Sequence, residues 1–171
     1  MLDLDLVKQQ CKIDTDEEDM LLETYIKAAR TYCERYTGKA YEARPETFEV
    51  GHFGDCIEIP VSPVSSVTTI LYTNPDGDED NLDISEVRLV GRRIYPALGA
   101  VFPDIAYPSY VYVTVQVGDA NDDVPEHIQQ AMLLLIAHWY ENRETVAVGT
   151  ISSNIGMTTK ALLDLDRDEL A

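Results

Sequence analysis

The clearest pattern in the chain is apolar at intervals of three and four: Leu22, Tyr25, Ile26, Ala29, Tyr32, Cys33 and Tyr36. That is the period of one face of an α-helix, and Gly38 is suited to end it in the left-handed conformation. Thr15 followed by Glu18 has capping-box spacing, and Asp14, Asp16 and Glu17 crowd the positive end of the helix dipole. A shorter helix is predicted before it, from about Leu4 to Lys12, with Leu4, Val7 and Cys11 on one face.

From about Arg44 to Gly118 the signals change to strands. Thr47–Phe53, Cys56–Val61 and Val67–Thr73 are short β-type runs set apart by Gly and Pro. Asn74-Pro75-Asp76-Gly77 is a turn by its chemistry. Glu86–Val90 and Arg93–Tyr95 flank Gly91-Arg92 as a tight hairpin, and Ala97 to Ser109 reads as loop. The strongest strand is the last. Val111, Val113, Val115 and Val117 alternate with Tyr112, Thr114 and Gln116, so one face is buried.

Asp123-Val124-Pro125-Glu126 then opens a third helix, with an acid at the cap and proline in the first turn. Ile128, Met132, Leu135, Ile136 and Trp139 form its main stripe, while Leu133, Leu134 and Ala137 make the opposite side apolar too. Such a helix must be covered on several sides. Two partner helices are too few for that, so the β insertion or a neighbouring copy is expected to complete the cover. Thr145 to Thr159 is rich in Gly, Ser and Thr without clear period, and Ala161–Leu165 is a short apolar patch in an acidic tail.

The predicted fold class is therefore α+β. A small antiparallel helical core (1–43 and 119–144) carries an inserted antiparallel β subdomain (44–118) and an extended C-terminal tail (145–171).

Charge narrows the function. Thirteen Lys and Arg stand against thirty-one Asp and Glu, a formal net charge of −18 over 171 residues. A grip on nucleic-acid phosphates needs clustered basic residues, and the tightest group is Arg88, Arg92 and Arg93. An acidic wall would instead repel a DNA backbone, though high charge also serves plain solubility. Cys11, Cys33 and Cys56 are too few and scattered for a disulfide framework or a zinc site. Neither a signal peptide nor a membrane span is expected, and a cytoplasmic site of synthesis follows.

Candidate chemistry is sparse. Asp76, Asp78 and Asp80 open like a calcium loop, but Asn81 stands at the turn glycine and Glu86 falls one residue early. His52, His127 and His138 lack metal-ligand spacing; the last two are about 16 Å apart by helical rise. No nucleophile elbow, P-loop or dinucleotide fingerprint is present. No catalytic residue, metal or cofactor is assigned. Ten tyrosines against three phenylalanines suit interfaces or half-wet sheet faces equally.

The order of these pieces resembles the head–tail connector family of tailed bacteriophages, also called head-completion or adaptor proteins. Carrying the resemblance are Val7-Lys8, Asp16, Asp19, Ala28-Ala29-Arg30 and Tyr36-Thr37-Gly38-Lys39; the proline-marked run Ile57 to Val67; and Val124-Pro125-Glu126-His127-Ile128 through Leu133 to Glu144. Within the last, Trp139-Tyr140-Glu141-Asn142-Arg143 is the most specific, and Ala161-Leu162-Leu163 is similar to the family's C-terminal signature. Asp119 stands where the family usually has an aromatic, and the C-terminal signature lacks its proline.

The resemblance implies a non-enzymatic virion protein at the head–tail junction, assembled in the host cytoplasm. It implies a ring of about twelve copies under the portal protein, closed by heterologous contacts. DNA passes through without sequence-specific binding, a downstream connector, stopper or tail protein docks beneath, and no membrane is involved. The expected interface residues are Tyr32, Tyr36, Met132, Trp139, Tyr140, Arg143, Leu162 and Leu163, with the segment after Arg143 reaching toward the portal. A tail-completion protein, a small acidic hydrolase and a calcium-binding module remain alternatives.

Overall fold

The computed structural model describes residues 2–118, 124–143 and 153–167. The chain divides into two compact units, Met1–Tyr41 with Asp123–Ala171, and Glu42–Asp122.

The first unit is helical. Helix α1 (Leu4–Cys11) starts at Asp3, whose side chain accepts from the Asp5 amide at 3.0 Å, and ends at Lys12 in the left-handed conformation. Helix α2 (Asp19–Thr37) buries Leu22, Ile26, Ala29 and Cys33 of the predicted stripe, leaves its Tyr25 and Tyr36 half-buried and its Tyr32 exposed, and closes on Gly38 at φ 73°. The capping box does not form. Glu18 sits at the cap position without a side-chain cap bond, because its carboxylate is drawn to Tyr140 and Arg143. Lys8 instead bridges Asp16 and Asp19 across the α1–α2 turn, at 2.6 and 2.5 Å.

Helix α3 (Glu126–Glu141) runs through the centre of this unit. Only Glu126, Gln130 and Glu141 of the helix are exposed. Helices α1 and α2 cover part of it, and a fourth helix, α4 (Ser153–Asp164), covers the rest. This corrects the expectation that a third helix would need outside cover, and part of the segment read as tail is helical. Leu163 is wholly buried and Leu162 packs on the core edge, so contact with α3 holds a sequence of low helix propensity in helical form. The predicted cap at Asp123 and the stretch 144–152 lie outside the described residues.

The second unit holds two antiparallel sheets. One has the order β1–β7–β3–β4, from Arg44–Val50, Val111–Val117, Val64–Thr73 and Glu79–Asn81. The other is β2–β6–β5, from Ile57–Glu58, Arg93–Pro96 and Val87–Val90. Strand β7 is central, and its four alternating valines are fully buried as their period predicts. The Gly91-Arg92 hairpin forms, with Gly91 at φ 62°. The second predicted run, Cys56–Val61, shrinks to Ile57–Glu58, and β4 is an addition too polar to be read as a strand. Gly118 ends β7 at φ 85°, where a Cβ would lie 2.2 Å from the Glu42 carbonyl oxygen. Only glycine fits there.

Candidate functional site

The expected interface residues all fall in the helical unit, and the polar and aromatic ones among them join two networks. The first joins the end of α3 to the start of α2. Arg143 donates to Glu18 Oε1 at 2.7 Å, the Tyr140 hydroxyl donates to Glu18 Oε2, and the Arg143 guanidinium lies 4.2 Å from the centre of the Tyr140 ring. The Tyr140 and Arg143 hydrogen bonds hold the Glu18 carboxyl below its ordinary range. The same carboxylate pushes the Tyr140 hydroxyl up. Trp139 is half-buried and meets Tyr25 at 6.1 Å between ring centres, tilted by 59°.

The second network fixes the end of α4. Tyr36 donates to Asp164 at 2.6 Å and stacks on Tyr32 at 6.5 Å. Asp166 receives Lys39 Nζ at 2.7 Å and the Tyr41 hydroxyl at 2.8 Å, and His127 Nε2 lies 4.0 Å away. Tyr41 is buried, and desolvation pushes its hydroxyl far up. Tyr41 and Asp166 escaped the sequence reading because no period or motif marks them, and Lys39 was marked only within the Tyr36–Lys39 motif; the three meet only once α4 docks.

Of the eight expected residues, Met132 and Leu163 lie inside the core at 2% and 0% exposure and offer no surface to a partner. The apolar period could not separate Met132 from surface positions on a helix apolar all round, and Leu163 fell in a segment read as tail. Trp139, Tyr140, Arg143 and Tyr36 are engaged within the chain, and Leu162 packs at the core edge. Tyr32 is the most open of the apolar ones, at 38%.

The other candidates resolve into local structure. At the Asp-rich turn, Asn74 Oδ1 accepts from the Asp76 and Asp78 amides at 3.0 Å each, and Tyr72 donates to Asp80. It is an Asx turn at a strand junction. Among the described residues no group of three or more His, Cys, Asp or Glu is placed to hold a metal ion. His138 Nδ1 lies 3.1 Å from the Asn142 amide nitrogen. No helix among the described residues is long and apolar enough to cross a membrane.

A helical unit locked by internal networks is joined in sequence to an inserted β unit. Residues 1–82 match the family model of the phage gp6-like head–tail connector protein. The chain also resembles solved structures over nearly its whole length. A chain from the neck of an empty gene transfer agent particle, computed with C6 symmetry, is 27% identical with a TM-score of 0.76, covering 97% of this chain and 89% of that one. A chain from the virion of the native gene transfer agent particle is 26% identical with a TM-score of 0.75, covering 97% and 89%. One from the neck of the native particle, computed with C12 symmetry, is 26% identical with a TM-score of 0.71, covering 98% and 91%. No curated protein matches by sequence. The resemblance to head–tail connector proteins read from the sequence is borne out, and family and neck structures together support a structural, non-enzymatic connector role.

Proposed function

We propose that this chain is a ring subunit of the neck of a tailed phage or phage-like particle, seated under the portal protein at the head–tail junction. It extends the DNA channel and presents the docking surface for the next connector or tail protein. The observation that carries the reading is the likeness over 97% of the chain to a chain from the neck of a gene transfer agent particle, computed with C6 symmetry. The net charge of −18 supports it: a channel wall of this sign repels phosphates, so DNA slides without adhering.

In this reading the helical unit forms the ring wall and the C-terminal segment, with α4, faces the portal. Among the helical residues expected at the interface, Tyr32 has the largest open apolar surface for a neighbouring copy. The test is co-sedimentation of the purified chain with portal-bearing heads that lack it. Saturable binding at a fixed ratio of copies per portal, absent with portal-free heads, is expected. Equal binding to both kinds of head, or to neither, would contradict the reading.

A further inference from the structure

We infer that the segment Ala97–Tyr110 is the strap by which one copy grips the next, and that it seats on the outward face of the neighbour's β1–β7–β3 sheet. The inference rests on the ring reading above and specifies its contact.

The strap is apolar, open and held in place. Its fourteen residues include one charge, Asp104, in a chain with thirty-one acids and thirteen bases. Leu98, Val101 and Tyr107 are 86%, 87% and 99% exposed, and Tyr110 is open as well. The backbone is nevertheless anchored. The Ala97 amide donates to the Glu86 carbonyl at 2.7 Å and the Ala106 amide to the Thr73 carbonyl at 2.9 Å. Phe102 stacks on Phe53 at 4.8 Å between ring centres. An anchored loop that turns three large apolar side chains to water loses little entropy when it docks.

The likeness to neck chains of C6 and C12 symmetry makes the occupant a second copy, and charge limits where that copy can dock. Each copy carries −18, so two copies repel wherever charged surfaces meet. A contact between copies must therefore use neutral patches, and the strap is one. The outward sheet face is a second, distinct patch. Leu71 and Tyr112 are paired across β3 and β7, both 44% exposed, and Thr47 and Thr114 share a 2.9 Å hydrogen bond in the neighbouring row. Glu49, beside Tyr112 on β1, and Glu79, opposite Thr73 on β4, are charges at the two rims of this face. Two different neutral patches on one chain are what a head-to-tail contact requires.

The experiment is sedimentation of the full chain over a concentration series, wild type against Leu98→Asp/Val101→Asp. Both side chains are open, so the variant should keep the wild-type melting temperature. Self-association should weaken at least ~10-fold. Met20→Asp, an equally open apolar site in the helical unit, should associate as wild type does. Adding Thr114→Lys to the strap variant should restore association by pairing a cation with the new acids. If the strap variant associates as wild type does, the strap is not the contact and the inference falls, with the ring reading intact. If Thr114→Lys restores nothing, the receiving face is wrong. A wild-type chain that stays monomeric throughout would overturn the inference together with the ring reading.

Discussion

The two units handle apolar surface in opposite ways. The helical unit takes the most hydrophobic segment of the chain, α3, and encloses it with three helices of its own until only Glu126, Gln130 and Glu141 stand open. The β unit buries the four valines of β7 and then leaves Leu98, Val101 and Tyr107 in water on an anchored loop. Hydrophobicity in sequence is thus a poor guide to where a partner binds. The greasiest helix is a closed core, and the open apolar side chains lie on an anchored loop. What decides is whether the chain itself supplies a cover.

That contrast can be broken from the helical side first. Leu163→Asp places an unpaired carboxylate where α4 meets α3, and should cost more than ~4 kcal/mol. Far-UV circular dichroism and limited proteolysis would register loss of the helical unit, and a variant melting as wild type does would mean that α4 is not the cover. Gly118→Ala attacks the β unit, driving a Cβ into the Glu42 carbonyl at a positive φ. A loss of ~3 kcal/mol is expected, read by urea denaturation, with the earliest gain in hydrogen exchange on β7 and β1.

Smaller changes sharpen the picture. Trp139→Ala removes a half-buried ring from Tyr25 and should cost ~2 kcal/mol of folding stability. If instead it weakens association while leaving the melting temperature unchanged, Trp139 belongs to an interface and the closed-core account of the helical unit is wrong. The mildest change is Glu18→Gln. Hydrogen bonds from Tyr140 and Arg143 hold the folded-state pKa of Glu18 below its unfolded value. Its contribution is therefore present above the ordinary glutamate range, near pH ~4.3, and is lost as pH falls through the folded value. The variant should show a shallower decline of melting temperature on acidification below about pH 4.3 and a small loss at neutral pH; an unchanged acid slope would mean that the network is not formed in solution.

Elements with strong internal periods were legible in the sequence. Leu22 to Tyr36 marked α2, the β7 valines marked a strand with one buried face, and Gly38 and Gly91 marked ends and turns that formed. Helix α4 was not legible, because Ser153–Asp164 carries Gly156, Ser153, Thr158 and Thr159, and its stability comes from docking rather than local propensity. Glu18 had the right spacing for a cap, yet a tyrosine and an arginine more than a hundred residues later compete for the same carboxylate. Among the expected interface residues, type and period were right for surface or core alike. Only packing separated buried Met132 and Leu163 from open Tyr32. The strap was legible as a loop, but its exposure was not, since Leu98 and Val101 would suit a buried turn as well.

The most direct test of the connector account is to image and weigh the purified full chain by electron microscopy and mass photometry, alone and with portal. The account predicts closed rings with a central opening and a mass of six or twelve chains, in keeping with the C6 and C12 symmetry of the neck structures it resembles. Single chains in both conditions, or open filaments without closure, would contradict it.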